Sequence, residues 1–127
     1  MKASSTVALS IAAGIGIGAV VVESLHAQAK PKAYTVSELE LIDAAANAAF
    51  VPLVQAAQKA AGGRAFRTGG GKIVAMEGEA PKRVAITEWD SLDQAEAFYK
   101  SAAWKDLTPQ REKAVKTIRR YAVEAMN

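Results

Sequence analysis

One carboxylate could do acid–base chemistry, Glu88 in the segment Arg83–Trp89. The segment alternates like a β-strand and places Glu88 beside Ile86 on the face predicted to point inward. A carboxylate beside an apolar wall has a raised pKa and can act as a general base. The alternative interpretation is a structural ion pair with Arg64, Arg67 or Arg119. Both interpretations stay open at this point.

Arginine and aromatic side chains make up a candidate binding set. A guanidinium recognises a carboxylate through paired hydrogen bonds. Arg64 and Arg67 are three residues apart, so they share one face of a strand only if the neighbouring glycines allow a bulge. Strand-end ion pairs are an equally good interpretation of both arginines. The candidate ligand-binding residues are Tyr34, Arg64, Arg67, Trp104 and Arg119.

Several classes of function are excluded by residue types that are absent. The chain has no cysteine and a single histidine, His26. That histidine lies in a segment expected to be removed, which leaves no imidazole for a Ser-His-Asp triad, a zinc site or a haem. The segment Gly69–Lys72 lacks the serine or threonine of a phosphate loop. We therefore predict no metal and no cofactor.

The first 29 residues have the three parts of a secretory signal peptide: Lys2, an apolar run from Val7 to Val22, and Ala27-Gln28-Ala29. We place cleavage after Ala29, so the domains are 1–29, a signal peptide, and 30–127, the folded domain. The alternative is an uncleaved membrane anchor, for which the apolar run is shorter than the roughly 20 residues of a spanning helix. An exported protein, periplasmic or secreted, is expected, with no stable membrane association after cleavage.

The net charge of +3, from 16 Lys+Arg and 13 Asp+Glu, is too small to indicate a nucleic-acid partner. The remaining segments predict strand, helix, strand, strand, helix, strand. This order is the ferredoxin-like βαββαβ pattern, an α+β fold with a four-stranded antiparallel sheet and both helices on one face. The predicted strands are 34–41, 64–68, 83–89 and 118–124, with a further extended segment at 73–77. The predicted helices are 44–61 and 91–101, with a second start signal at Thr108-Pro109 and a kink or break at Pro52.

The sheet face away from the helices is predicted to be apolar. Tyr34, Val36, Val84 and Ile86 would all lie in water there. An exposed apolar sheet face on a small domain is typical of an interface. We therefore expect a homodimer in which two copies pack these faces together.

An ordered set of residues from about Ala33 to Glu124 resembles the family named domain of unknown function 1330, within the dimeric α+β barrel superfamily. The resemblance implies the ferredoxin-like fold and dimerisation, but no shared activity. Superfamily relatives include haem enzymes, cofactor-free monooxygenases and lactone isomerases, and the missing histidine argues against the first. The matching residues are Tyr34, Asp43, Gly62-Gly63-Arg64, Arg67, Gly69-Gly70, Glu77-Gly78, Pro81, Arg83-Val84, Glu88-Trp89, Ser91-Leu92, Ala95, Phe98 to Ser101, Trp104 and Arg111.

Three functional hypotheses follow. The first is an exported dimer that binds a small anionic or aromatic organic molecule in the cleft between helices and sheet. The second is a cofactor-independent isomerase or monooxygenase, with Glu88 as the catalytic base and an arginine holding an enolate or carboxylate. The third is a structural or interaction module without a ligand, which a cleft filled by Trp89, Phe98 and Trp104 would favour.

Overall fold

A computed structural model describes residues 30–126. The predicted signal peptide, residues 1–29, lies outside the described residues. Within them, no helix combines the length and the apolar character needed to cross a membrane. The elements in chain order are β1 (Ala33–Leu41), α1 (Ala44–Ala60), β2 (Arg64–Ala65), β3 (Arg83–Trp89), α2 (Leu92–Lys100), α3 (Ala102–Lys105), α4 (Thr108–Ala114) and β4 (Val115–Glu124).

The four strands form one antiparallel sheet in the order β2-β3-β1-β4. The predicted ferredoxin-like α+β arrangement is confirmed. One irregularity matters for the site: between Glu38 and Leu39 of β1 the pairing with β4 shifts, because Ile118 is an extra residue in β4. A bulge of this kind reverses which side chains face the helices on either side of it.

Strand β1 shows the two faces of the sheet most clearly. Its odd-numbered residues from Ala33 to Leu39 are buried against the helices, and its even-numbered residues are half-exposed on the opposite face. The pairing carries this alternation to the neighbouring strands. We call the two sides the helix face and the open face. The open face holds Tyr34, Val36, Val84, Ile86, Tyr121 and Val123.

The core between the sheet and the helices has two clusters of buried side chains, which we name the Leu39 cluster and the Trp89 cluster. Val54 of α1 packs against both clusters and so joins them. Between them the clusters use only a few large side chains, and much of α1 is alanine. The Leu39 cluster comprises Leu39, Phe50, Ala114 and Val115, and the Trp89 cluster comprises Trp89, Ala95, Phe98 and Trp104.

Helix α1 begins and ends as its sequence predicts. The Asp43 carboxylate caps it by accepting from the backbone N–H of Ala46 at 2.8 Å. Gly62 follows the helix with φ +93°, in the left-handed region that favours glycine. A break at Pro52 is wrong, because the helix runs continuously through that residue. The proline lies on the exposed side, where its missing N–H can be tolerated within the packed structure.

Helix α2 begins with the predicted serine cap: the hydroxyl of Ser91 accepts from the backbone N–H of Gln94 at 3.1 Å. The Gln94 side chain then accepts from the N–H of Asp90 and donates to the carbonyl of Ala61, so it ties the end of α1 to the start of α2. Three boundaries differ from the prediction. Strand β2 is only two residues long, 73–77 is not a strand, and β4 begins at Val115.

Candidate functional site

A cavity of about 720 Å³ lies between α1 and the helix face of the sheet. Residues of α1 at helical spacing form one wall, which includes Asn47, Val51, Val54 and Gln58. The small alanine side chains of this helix leave the space unfilled, because they supply little volume above the sheet. The cavity therefore follows from the composition of α1.

The charge of the lining is one-sided. Among the described residues that line the cavity, none is aspartate or glutamate. The basic side chains of the lining are Lys59, Arg64, Arg67, Arg83, Arg111 and Arg120. A concave site with charges of one sign raises the local concentration of small ions of the opposite sign.

Arg120 reaches into this cavity from β4. Its Nε donates to the hydroxyl of Ser37 at 2.8 Å, and its guanidinium lies 4.7 Å from the ring centroid of Trp104 and 5.4 Å from that of Tyr99. Burial lowers the pKa of Arg120 from its ordinary value, and the positive charge of Arg111 acts in the same direction. In the described part of the chain no carboxylate lies within ion-pair distance of it. The geometry holds a partly dehydrated cation in a fixed position.

Arg111 of α4 also contacts the indole ring of Trp104. Its guanidinium carbon is 4.4 Å from the centroid of Trp104, and one nitrogen donates to the hydroxyl of Thr108 at 3.4 Å. Its Nη1 is buried and has no hydrogen-bond partner among the described residues. A buried donor without an acceptor is rare and costs about 1–3 kcal/mol.

The aromatic residues around α2 pack together. Trp89 and Phe98 have ring centroids 5.2 Å apart, and Tyr99 and Trp104 have theirs 4.8 Å apart. Trp89 is fully buried in the core, whereas Tyr99 and Trp104 also line the cavity. The filled cleft that would favour a purely structural module is therefore not found.

Glu88 lies on the open face of the sheet and does not line the cavity. Arg64 Nε donates to its Oε1 at 3.0 Å, the hydroxyl of Tyr34 lies 3.4 Å from Oε2, and Lys32 Nζ is 3.9 Å away. The hydrogen bond from Arg64 lowers the pKa of Glu88, and the charges of Arg64 and Lys32 act in the same direction. The prediction that Glu88 has a raised pKa is wrong, because the guanidinium of Arg64, rather than apolar side chains, lies against its carboxylate.

The other predicted site residues divide between the two faces. Tyr34 and Arg119 are on the open face, where Arg119 donates to the carboxylate of Glu38 at 2.9 Å. Arg64, Arg67 and Trp104 all border the cavity, although the side chain of Arg64 reaches Glu88 on the open face. Sequence reasoning missed Arg83, Arg111 and Arg120 as site residues, although the last two belong to a basic stretch that is evident in the sequence.

The site offers little to a metal ion. No group of three or more histidine, cysteine, aspartate or glutamate side chains suited to a metal occurs among residues 30–126. The cationic lining of the cavity would also repel a metal cation.

Comparisons with known proteins agree with this architecture. The sequence model of a family described as a domain of unknown function, DUF1330, matches residues 32–126. No curated protein matches the chain.

Solved structures with a similar fold include one of a protein of unknown function from Rhodopseudomonas palustris, with a TM-score of 0.60 at 16% identity over 84% of this chain and 92% of that one. A methylated form of that protein gives 0.59 at 15% identity, over 84% and 90%. A conserved protein from Methanosarcina mazei gives 0.49 at 14% identity, over 80% and 99%. At these identities the first two show a shared fold.

Proposed function

Because this chain belongs to the family described as a domain of unknown function, DUF1330, and that description names no activity, we propose a function from the geometry of the cavity. The chain binds a small organic anion with an apolar or aromatic body. The anionic group binds to Arg111 and Arg120, and the body of the ligand lies between α1 and the sheet.

The observation that carries this proposal is that Arg111 and Arg120, which both line the cavity and contact Trp104, have no carboxylate at ion-pair distance among residues 30–126. Elsewhere in the described chain the arginines of the open face do have such partners, since Arg64 pairs with Glu88 and Asp90, and Arg119 pairs with Glu38. A buried guanidinium costs free energy unless its charge is compensated. A bound carboxylate would compensate the charges of Arg111 and Arg120 together.

The rest of the lining fits an apolar ligand body. Leu39, Phe50 and Val54 present hydrocarbon to the cavity, and Tyr99 and Trp104 present rings. Burial of such a ligand against these side chains contributes free energy in proportion to the apolar area removed from water. A ligand that consists of a carboxylate alone would contact only Arg111 and Arg120 and would leave this apolar surface unused.

The proposal predicts that Arg120→Gln weakens the binding of carboxylates about ten- to a hundredfold, since a charge-assisted hydrogen bond contributes about 1.5–3 kcal/mol. Benzoate, phenylacetate and related aromatic carboxylates are titrated by calorimetry after a thermal-shift screen, with the neutral amides as ligand controls. Arg119→Gln is the matched protein control, because the adjacent arginine points to the open face.

We expect the wild type and Arg119→Gln to bind the carboxylates with equal affinity and to show no measurable binding of the neutral amides. The melting temperature of unliganded Arg120→Gln checks that the variant is folded. An absence of stabilisation across a broad set of carboxylates would contradict the proposed function. Equal affinity in wild type and Arg120→Gln would contradict the role of this arginine.

We also propose that the chain forms a homodimer through the open face. Six apolar or aromatic side chains stand together there, and Tyr121 and Val123 are 47% and 53% exposed in the single chain. The ion pairs Arg64–Glu88 and Glu38–Arg119 lie on the same face, as expected of the polar rim of an interface. A second copy is the occupant that offers the same mixture of apolar centre and paired charges.

Export completes the proposal: signal peptidase cleaves after Ala29. The family match begins at residue 32 and β1 begins at Ala33, so cleavage at this point leaves both intact. Mass spectrometry of the protein recovered from the periplasm or medium is expected to find Lys30 as the first residue. Ala29→Trp should leave the leader attached, because a large side chain does not fit the small-residue position. An intact leader on the wild-type protein would contradict this proposal.

A further inference from the structure

Arg83 forms a second cationic position in the cavity, separate from the pair Arg111 and Arg120. This residue is paired with Leu39 of β1, so it projects from the helix face as Arg120 does. It is half-buried and lines the cavity. Its Nη1 reaches the loop at Gly69 and Gly70, at 4.0 and 3.5 Å from where their Cβ atoms would stand. Within residues 30–126, no carboxylate lies at ion-pair distance from it.

The strand pairing fixes the spacing of the two cationic positions. Ser37 of β1 pairs with Arg120 on one side and with Ala85 on the other, and Arg83 is two residues along from Ala85. Two strand spacings across and two residues along place the Cα atoms of Arg83 and Arg120 about 12 Å apart. Leu39 and Phe50 line the cavity together with these two arginines. The lining therefore combines cationic groups on β3 and on β4 with apolar surface.

We propose that the ligand class of this cavity is an elongated dianion, an organic molecule with a carboxylate at each end and an apolar middle. The inference rests on the proposed function and makes its ligand specific. One carboxylate binds to Arg111 and Arg120, and the other binds to Arg83. The lining can hold two anionic groups, because Arg83, Arg111 and Arg120 have no carboxylate partner among the described residues. The charge of Arg64, in contrast, is already neutralised on the open face by Glu88 and Asp90.

The experiment compares matched monoanions and dianions of two lengths. The short pair is benzoate and terephthalate, and the long pair is biphenyl-4-carboxylate and biphenyl-4,4'-dicarboxylate. Calorimetry of the wild-type protein is expected to show that the dianion of at least one pair binds about tenfold or more tightly than its monoanion, as one additional charge-assisted hydrogen bond gives.

Two variants separate the ends of the site. Arg83→Gln is expected to remove the preference for the dianion, because the dianion loses far more affinity than the monoanion does. Arg120→Gln is expected to weaken both. Arg83→Lys keeps the charge and should retain part of the preference, which guards against a loss caused by misfolding.

The outcomes distinguish the two proposals. Equal binding of monoanion and dianion by the wild type overturns the dianion and leaves the proposed anion site standing. A preference that survives Arg83→Gln also overturns the inference, because some other group then holds the second carboxylate. Binding of neither monoanions nor dianions overturns the proposed function and the inference together.

Discussion

Replacing Trp89 with alanine is expected to destabilise the protein by about 3–5 kcal/mol, as for other large-to-small changes at fully buried aromatic residues. Trp89 has no exposed surface, and it is packed against Ala95, Phe98 and Trp104. Its Nε1 donates to the hydroxyl of Thr35 at 3.0 Å. Since small domains are stable by only about 5–15 kcal/mol, the variant loses a large part of its stability. Urea denaturation followed by circular dichroism measures the change.

The control for this variant is Thr35→Val, which removes the hydrogen bond and keeps the indole in place. It is expected to cost about 1–3 kcal/mol, because Nε1 is left buried without an acceptor. The large loss of stability expected for Trp89→Ala also follows from the close packing of the backbone against the indole. A Cβ on Gly63 would stand 2.8 Å from the ring, so the backbone at this glycine already contacts Trp89. A loss of less than about 1 kcal/mol in Trp89→Ala would show that the indole is not central to the core.

Replacing Val36 with aspartate is expected to convert the proposed dimer into a monomer. Val36 lies in the middle of the open face, paired with Ile86 on one side and with Tyr121 on the other. A carboxylate at this position would be buried without a cation in the dimer, at a cost of about 3 kcal/mol, or roughly a hundredfold in Kd. Sedimentation equilibrium over a range of protein concentrations measures the change in mass.

Ala48→Asp is the matched control, since it makes the same change of charge on the exposed side of α1, away from the open face. The wild type and this control are expected to have twice the mass of the single chain. A wild-type protein that stays monomeric at high concentration, with full stability, would contradict the homodimer. A Val36→Asp protein that stays dimeric would place the interface on another surface.

Most of the fold was predictable from local signals. Strand β3 and the starts of α1 and α2 agree with the structure because alternation, Asp43 and Ser91 act over a few residues. The segment 73–77 has the composition of a strand but is not one. Whether an extended segment joins a sheet depends on a free edge at the right place, which composition does not specify.

The site was less predictable, and the two adjacent arginines of β4 explain why. Arg119 was the candidate, whereas Arg120 faces the cavity. Alternation shows that the two side chains point to opposite faces, but it does not say which face carries the helices.

Glu88 shares a face of β3 with Val84 and Ile86 as predicted, but that face is the open one and not the inward face toward the cleft, and its electrostatic environment differs from the prediction. The prediction considered the apolar neighbours along its own strand, whereas the pKa is set by Arg64 on the adjacent strand and by Lys32 before β1. Neither neighbour is visible without the register of the sheet. Of the two interpretations offered for Glu88, the ion pair with Arg64 describes what the structure contains.

The extra residue in β4 has a consequence for how relatives of this chain diverge. Before Ile118 the odd-numbered residues of β4 lie toward the helices, and after it the even-numbered ones do. Without Ile118, Thr117 would be followed directly by Arg119, and simple alternation would still place Thr117 and Arg120 toward the helices and Arg119 on the open face. The bulge therefore absorbs the extra residue, and two homologues that differ in length by this one residue can present the same arginine to the cavity.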